Sequence, residues 1–193
     1  ANSVGMALAA KMLAARTHSE TSDFQPMSQR VFTLCSDGDL MEGISYEAAS
    51  MAGHWQLDNL VWLYDDNKIT IDGSTDLAFT EDVAKRFDAY GWHVIDSIDG
   101  HDPKAISAAI IEAQQQTDKP SILACKTIIG YGSPNKGGTA DTHGAPLGDD
   151  ELELVRKELG WDHAPFDIPD DIKDAWDATA KGQQAENHWN DLF

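Results

Sequence analysis

The sequence predicts an α/β fold in which a parallel sheet carries helices on both faces. Short apolar runs alternate with segments in which apolar residues recur at helical spacing. Two of the apolar runs, LVWLY and SILACKT, are nearly continuous, as expected for strands that are covered on both sides. Strands that alternate with helices are joined by crossovers and therefore lie parallel. Ligands of such sheets bind beyond the carboxyl ends of the strands, where a functional site is expected first.

The first half of the chain contains two helices and two strands. An alanine-rich segment predicts a helix at residues 3–15, and the polar residues 18–28 predict a loop. The β-rich sequence VFTLC predicts a strand at 31–35. Apolar residues at helical spacing predict a helix at 42–55, and the run LVWLY predicts a strand at 60–64.

The second half repeats this alternation. Helical and extended patterns follow one another at 81–90 and 92–98. An amphipathic segment with proline in its first turn predicts a helix at 103–116, and SILACKT predicts a buried strand at 121–127. A glycine-rich loop then spans 128–148, and loops of this length are uncommon unless they are functional. Two shorter helices are predicted at the end of the chain, at 149–159 and 169–180.

The composition restricts the class of partner. The chain has 33 acidic and 14 basic residues, and its formal net charge is −19. Such a surface repels nucleic acid and anionic membranes, so neither is expected as a partner. No apolar run approaches the ~20 residues that a membrane span needs, and no signal peptide opens the sequence. These features predict a very soluble or salt-adapted cytoplasmic protein.

Cysteine usage and the first residues add two further expectations. Cys35 and Cys125 both lie in apolar, strand-like segments. They fit buried thiols of a cytoplasmic enzyme better than a disulfide, although the sequence leaves a pair open. The chain begins without methionine and already inside a helical pattern, so it is expected to be a piece of something longer.

Polar or flexible residues follow three of the predicted strands. Asp37 and Gly38 follow the first, Asp65 and Asn67 follow the second, and His143 lies in the loop after the last. One acidic turn would be an ordinary solvated feature of so acidic a chain. Because three strand ends meet at one edge of a parallel sheet, their residues together predict a site.

The types of residue at these strand ends favour a metal–diphosphate ligand. Asp37 offers a carboxylate oxygen, Asn67 offers an amide oxygen, and a main-chain carbonyl just beyond Asn67 adds a third. Oxygen ligands suit Mg²⁺ or Ca²⁺ rather than zinc, and phosphate oxygens or waters complete six positions. Gly38 allows close approach of the main chain, and a helix starting near Glu42 directs its N–H groups towards an anion.

Five motifs of the chain resemble those of the transketolase family in order and spacing, over essentially all of its length. They are DGDLMEGISYEAASMAG, DDNKITIDG, AYGWHVI, KTIIGYGS and HGAPLG. They include the thiamine diphosphate signature, in which GDG is followed some thirty residues later by asparagine, as Asp37 is by Asn67. The resemblance implies a thiamine diphosphate-binding fold. Residues 1–160 would form a diphosphate-binding domain that lacks its first part, and 161–193 a helical extension leading towards a pyrimidine-binding domain.

The resemblance also implies an activity and partners. Transketolases use thiamine diphosphate and Mg²⁺ or Ca²⁺ to move a two-carbon ketol unit from a ketose phosphate to an aldose phosphate in the pentose phosphate pathway. The expected partners are sugar phosphates, the remainder of the chain and a second subunit of a homodimer. The glutamate that activates the aminopyrimidine ring is absent from these residues, so the chain alone is expected to be inactive.

Residue roles follow from the resemblance position by position. Asp37, Asn67 and the main-chain carbonyl of Ile69 would bind the metal, and Gly38 and Asn67 would hold the diphosphate. The remaining positions concern the thiazolium ring, the substrate and the second subunit. Asp65, Ile71 and Ile129 would lie near the thiazolium. His143 would reach both diphosphate and substrate with a role in proton transfer, and Glu42 would be an interface carboxylate that communicates between cofactor sites.

Two residues depart from the family pattern. Ser36 replaces the first glycine of GDG and is expected to narrow the turn slightly. Asp39 adds a carboxylate that would oppose the diphosphate unless it faces solvent.

Three alternatives stay open at this point. The first is another thiamine diphosphate enzyme, such as a dihydroxyacetone synthase or a deoxyxylulose phosphate synthase. The second is a non-catalytic chain that only binds cofactor, and the third is a metal-dependent phosphohydrolase. A phosphohydrolase needs a second carboxylate cluster, which Asp65 and Asp66 supply only weakly.

Overall fold

The computed structural model describes residues 1–18, 20 and 24–192. The strands are β1 (Val31–Ser36), β2 (Leu60–Asp66), β3 (Ile69–Thr70), β4 (Gly73–Ser74), β5 (His93–Asp99) and β6 (Ser121–Lys126). The helices are α1 (Asn2–Thr17), α2 (Asp37–Met41), α3 (Gly43–His54), α4 (Val83–Ala89), α5 (Pro103–Gln115), α6 (Asp149–Glu158), α7 (Asp170–Trp176) and α8 (Thr179–Leu192). Positions 19 and 21–23 of the predicted loop lie outside the described residues.

Four strands form one parallel sheet in the order β1-β2-β6-β5, which confirms the predicted α/β arrangement. In the register of the sheet, Ser36 lies opposite Asp65, and Asp65 lies opposite Cys125. The carboxyl ends of β1, β2 and β6 therefore meet at one edge. The residues that follow these strands are brought to that edge.

Helices cover both faces of the sheet. On one face, Trp62 and Tyr64 of β2 belong to a buried cluster with residues of α1, α3 and α4. On the other face, Val61 of the same strand belongs to a second cluster with Ala109 and Ala113 of α5. The alternation follows from the two-residue period of a strand, and it explains why LVWLY is apolar throughout. The second face is less completely covered, because Leu34 of β1 is 82% exposed.

The structure corrects several predicted boundaries. A short helix, α2, begins directly at Asp37, where the sequence suggested a turn followed by a helix from residue 42. Strand β2 continues to Asp66, because Asp66 pairs with Lys126 in β6. At the end of the chain, the predicted helix at 169–180 is divided into two. Helix α7 ends at Trp176, and the side chain of Asp177 then accepts a hydrogen bond from the Thr179 N–H at the start of α8, which the sequence did not predict.

The two cysteines are free and buried, as the sequence favoured. Burial, followed by the nearby charges of Asp39 and Asp65, raises the pKa of the Cys35 thiol to about 12. Burial likewise raises the pKa of Cys125. Both side chains are thus held as neutral thiols that pack in the sheet. None of the helices in the described ranges is long and apolar enough to cross a membrane.

Candidate functional site

A pocket of about 600 Å³ opens at the carboxyl edge of the sheet. Eight of the nine residues implicated by sequence line it: Gly38 and Glu42 after β1; Asp65, Asn67, Ile69 and Ile71 at and after β2; Ile129 and His143 after β6. Each group lies at or after a different strand of the sheet. The structure therefore brings together side chains that are more than a hundred positions apart in sequence.

Asp37, the ninth residue, is fully buried at the first position of α2. Its Oδ1 accepts a hydrogen bond of 2.5 Å from the Tyr64 hydroxyl, and its Oδ2 accepts one of 2.9 Å from the Lys68 N–H. Burial raises the pKa of Asp37, and these two donors only partly oppose that effect. Among the described residues Asp37 forms no ion pair. A buried carboxylate of this kind is suited to neutralisation by a cation.

Asn67 is fixed by its own turn. Its Oδ1 accepts a hydrogen bond of 2.9 Å from the Ile69 N–H, which is an Asx turn, and its Nδ2 lies 3.3 Å from Asp65 Oδ2. Lys68, which lies between Asn67 and Ile69, has a left-handed φ of +63°, and this conformation allows the tight turn. The turn therefore fixes the backbone of residues 67–69, which carries the two candidate metal-binding oxygens, the side-chain amide oxygen of Asn67 and the main-chain carbonyl oxygen of Ile69.

The donor set is incomplete for a metal bound by protein alone. The described ranges hold no group of three or more His, Cys, Asp or Glu side chains that could bind a metal ion. One carboxylate, one amide and one main-chain carbonyl leave about three of six positions open. A divalent cation here would need oxygens from outside the chain, and a diphosphate carries such oxygens.

The two departures from the family motif contact each other. The Ser36 N–H donates a 2.9 Å hydrogen bond to Asp39 Oδ2, and the Ser36 hydroxyl donates one of 3.3 Å to the same oxygen. The bond from the Ser36 N–H to the Asp39 side chain belongs to a capping box at the start of α2, in which the third helical residue accepts from the main chain of the residue before the helix. The Asp39 carboxylate thus stabilises the N-terminus of α2 while it lies exposed at the surface.

The long loop is anchored at its first residue by His101, which lies in the turn after β5. The Ile128 N–H donates a 2.9 Å hydrogen bond to His101 Nε2, and the His101 ring stacks on Tyr131 with centroids 3.9 Å apart. This bond requires an unprotonated Nε2. His101 thereby fixes the position from which the chain continues into Ile129 and the pocket.

A second anchor holds the loop from the other side. Glu151 in the first turn of α6 is buried and accepts hydrogen bonds from the Ser133 hydroxyl at 2.5 Å and the Asn135 N–H at 2.9 Å. The Asn135 side-chain amide also donates to Glu151, at 2.8 Å. These donors, led by the Ser133 hydroxyl, hold the pKa of Glu151 at about 2. The sequence alone predicted only a helix at 149–159.

Loss of this carboxylate is expected to loosen the loop. Because the pKa of Glu151 is lowered from 4.5 to about 2 on folding, its ionised form stabilises the fold above about pH 4.5, and that contribution is lost as the pH falls towards 2. At neutral pH, Glu151→Gln is expected to speed hydrogen exchange at the Asn135 amide. The exposed Glu153→Gln on the same helix is the matched control. Equal protection in both variants would contradict the anchoring role.

The fold and the pocket define a cofactor-binding α/β domain whose site lies at the carboxyl edge of a parallel sheet. A family model described as transketolase, thiamine diphosphate binding domain, matches residues 1–193. The chain therefore belongs to the transketolase family and comprises part of its thiamine diphosphate-binding region.

The relatives and solved structures that the chain resembles are transketolases. The chain is 53% identical to transketolase 1 and 51% identical to transketolase 2 of Escherichia coli K12, in each case over the whole chain and 29% of the relative. A crystal structure of a Pichia stipitis transketolase complex with sedoheptulose-7-phosphate matches with a TM-score of 0.92 at 42% identity, over 99% of this chain and 28% of that one. The Leishmania mexicana transketolase matches with a TM-score of 0.92 at 36% identity, with the same coverage. The chain thus spans under a third of the length of these relatives.

Proposed function

We propose that the whole protein is a transketolase, which transfers a two-carbon ketol unit from a ketose phosphate to an aldose phosphate in the pentose phosphate pathway. The observation that supports this best is the convergence of eight motif residues from three strand ends on one pocket of about 600 Å³. Sequence identity of about half to named transketolases supports the same activity. The sugar phosphate in the Pichia stipitis complex indicates the class of substrate.

In this proposal the chain holds the diphosphate end of thiamine diphosphate through Mg²⁺ or Ca²⁺. Asp37, Asn67 and the carbonyl of Ile69 are the metal ligands. The buried carboxylate of Asp37, which forms no ion pair within the described part of the chain, and the all-oxygen donor set fit a divalent cation that shares phosphate oxygens. Gly38 and Asn67 hold the diphosphate. Apart from its chain neighbours and the backbone of its own helix, no atom of the described residues lies within 4 Å of where a β-carbon of Gly38 would be, so an anion has room to approach the main chain there.

The other lining residues would contact the reactive end of the cofactor and the substrate. Asp65, Ile71 and Ile129 are assigned to the surroundings of the thiazolium. When bound, thiamine diphosphate supplies the nucleophile and the electron sink for carbon–carbon bond cleavage. His143 lies exposed in the pocket, where its imidazole can hold or move a proton at a substrate hydroxyl.

The proposal also covers the subunit contact, the division of the chain and the location of the protein. Glu42 is exposed at the rim between α2 and α3, and we assign it to contact with a second subunit in a homodimer. Residues 1–160 would form the diphosphate-binding domain and 161–193 an extension from it. In support of this division, α7 and α8 contain no buried residue. Free buried thiols and the acidic surface are compatible with a cytoplasmic location.

The test is native mass spectrometry of the whole protein, followed by turnover with different acceptors. We expect an assembly that carries thiamine diphosphate with Mg²⁺ or Ca²⁺ and transfers a ketol unit to ribose phosphate. Preference for formaldehyde as acceptor would indicate a dihydroxyacetone synthase, and use of pyruvate as donor would indicate a deoxyxylulose phosphate synthase. Bound cofactor without turnover on any of these would overturn the catalytic proposal in favour of a cofactor-binding subunit.

A further inference from the structure

A tyrosine on the central strand β2 makes the shortest contact of the buried Asp37 carboxylate. Tyr64 is 1% exposed, and its hydroxyl oxygen lies 2.5 Å from Asp37 Oδ1. The Lys68 N–H holds Oδ2 from another direction at 2.9 Å. One donor on each oxygen defines both the position and the rotation of the carboxylate.

The other side of the Tyr64 hydroxyl faces a second buried carboxylate. Asp66 Oδ1 lies 3.3 Å from the same hydroxyl oxygen, because residues two apart on a strand point to the same face. A tyrosine hydroxyl has one proton and can donate it fully to only one of the two acids. The negative charge of Asp66 is already balanced by Lys68 Nζ at 2.8 Å and by a short ion pair with Lys126.

The charges around the two acids therefore decide where the proton goes. The Asp66 carboxylate is already paired with Lys68 and Lys126, and its Oδ1 lies 3.3 Å from the Tyr64 hydroxyl oxygen. Asp37 has no such ion pair among the described residues and lies closer to the hydroxyl. The Tyr64 proton thus belongs to Asp37, and the Lys126–Asp66–Lys68 group fixes the far side of the hydroxyl.

We propose that Tyr64 is a positioning residue that orients Asp37 for metal binding, with Asp66 and its two lysines as the rigid support behind it. This inference rests on the proposed function, because it takes Asp37 to be the metal ligand. Tyr64 does not line the pocket and would touch neither substrate nor cofactor. It acts through Asp37 alone. Removal of its hydroxyl leaves the carboxylate held by one donor and free to rotate away from the cation.

The test is Tyr64→Phe in the whole protein, with Mg²⁺ as the probe in the presence of saturating thiamine diphosphate. Loss of a group that orients a metal ligand is expected to weaken Mg²⁺ binding by roughly 10- to 100-fold. At saturating Mg²⁺ and cofactor, kcat is expected to stay within about twofold of the unmodified protein, because no reacting group is removed. Tyr90→Phe is the control, since it deletes a hydroxyl from another tyrosine, which is half-buried, packs on Phe87 and does not line the pocket.

Two comparisons separate this inference from the proposed function. If Asp37→Ala loses Mg²⁺ binding but Tyr64→Phe binds Mg²⁺ as tightly as Tyr90→Phe, the positioning role is wrong and the metal assignment stands. If Asp37→Ala also keeps its Mg²⁺ affinity, the metal assignment itself fails. A Tyr64→Phe protein that melts at lower temperature without metal yet shows the same Mg²⁺-dependent rise in Tm would have lost only packing, and this result would also overturn the inference.

Discussion

Replacement of Asp37 by alanine in the whole protein is expected to abolish stable retention of thiamine diphosphate. Asp37 is the only carboxylate in the proposed metal-ligand set, and its side chain is completely buried. Changes to groups behind a metal ligand cost 10–100-fold in affinity, so loss of the ligand itself is expected to weaken Mg²⁺ binding by more than about 100-fold. The measurement is Mg²⁺ titration of the cofactor-free protein in the presence of thiamine diphosphate, with activity followed in parallel.

The neighbouring Asp39 supplies a matched control for this experiment. Asp39→Ala removes a carboxylate from the same short helix, but one that is exposed and that caps the helix through Ser36. Its loss is expected to cost about 1 kcal/mol of stability and to leave Mg²⁺ affinity within about threefold. Full cofactor retention by Asp37→Ala, or equal losses in both variants, would show that the cation is held elsewhere.

Gly53→Ala is expected to destabilise the protein, although alanine favours helices over glycine by about 1 kcal/mol. A β-carbon at Gly53, near the end of α3, would overlap the main-chain carbonyl oxygen of Tyr90 and lie 2.9 Å from its carbonyl carbon. It would also lie 3.2 Å from Cδ1 of Trp92, which is 2% exposed. Main chain cannot rotate away as a side-chain tip can. Forcing apart packed elements costs roughly 1–3 kcal/mol, so the clash outweighs the helix propensity.

The thermal midpoint of the whole protein measures this effect, and Gly182→Ala provides the contrast. Gly182 also lies inside a helix, α8, but outside its chain neighbours and its own helix backbone no atom of the described residues comes within 4 Å of the position of a β-carbon there. For Gly182→Ala only the higher helix propensity of alanine should matter, and we expect a Tm equal to or above that of the unmodified protein. An increase in Tm for Gly53→Ala would mean that α3 does not pack on residues 90–92 as described.

Much of the fold follows from local patterns. Continuous apolar runs at β2 and β6 predicted strands covered on both faces, and the two packed clusters confirm it. The proline at the start of α5 and the apolar period of that helix predicted its bounds to within one residue. Helices α7 and α8 were less predictable. They bury no residue in this structure, so no apolar face marked where one helix ended and the next began.

The composition of the pocket was also accessible from sequence alone. Once the strands were identified as parallel, the residues after β1, β2 and β6 had to meet at one edge, whatever the details of packing. The spacing from Asp37 to Asn67 and the motif containing His143 then suggested a metal, a diphosphate and the transketolase family. Eight of the nine residues line one pocket. Their individual roles stay predictions.

The side-chain contacts that support the pocket from the interior could not be predicted from the sequence, because they depend on the tertiary structure. The sheet register places Tyr64 opposite Cys35, and the chain then enters α2, so that the Tyr64 hydroxyl meets a carboxylate 27 positions away. Likewise, the close approach at Gly53 and the pairing of Glu151 with Ser133 depend on contacts between distant segments. The sequence by itself determined the order of the elements and the edge at which the motif residues gather, because both follow from local periodicity and strand direction. Which side chains then touch depends on register and side-chain direction, which are settled only when the helices pack on the sheet.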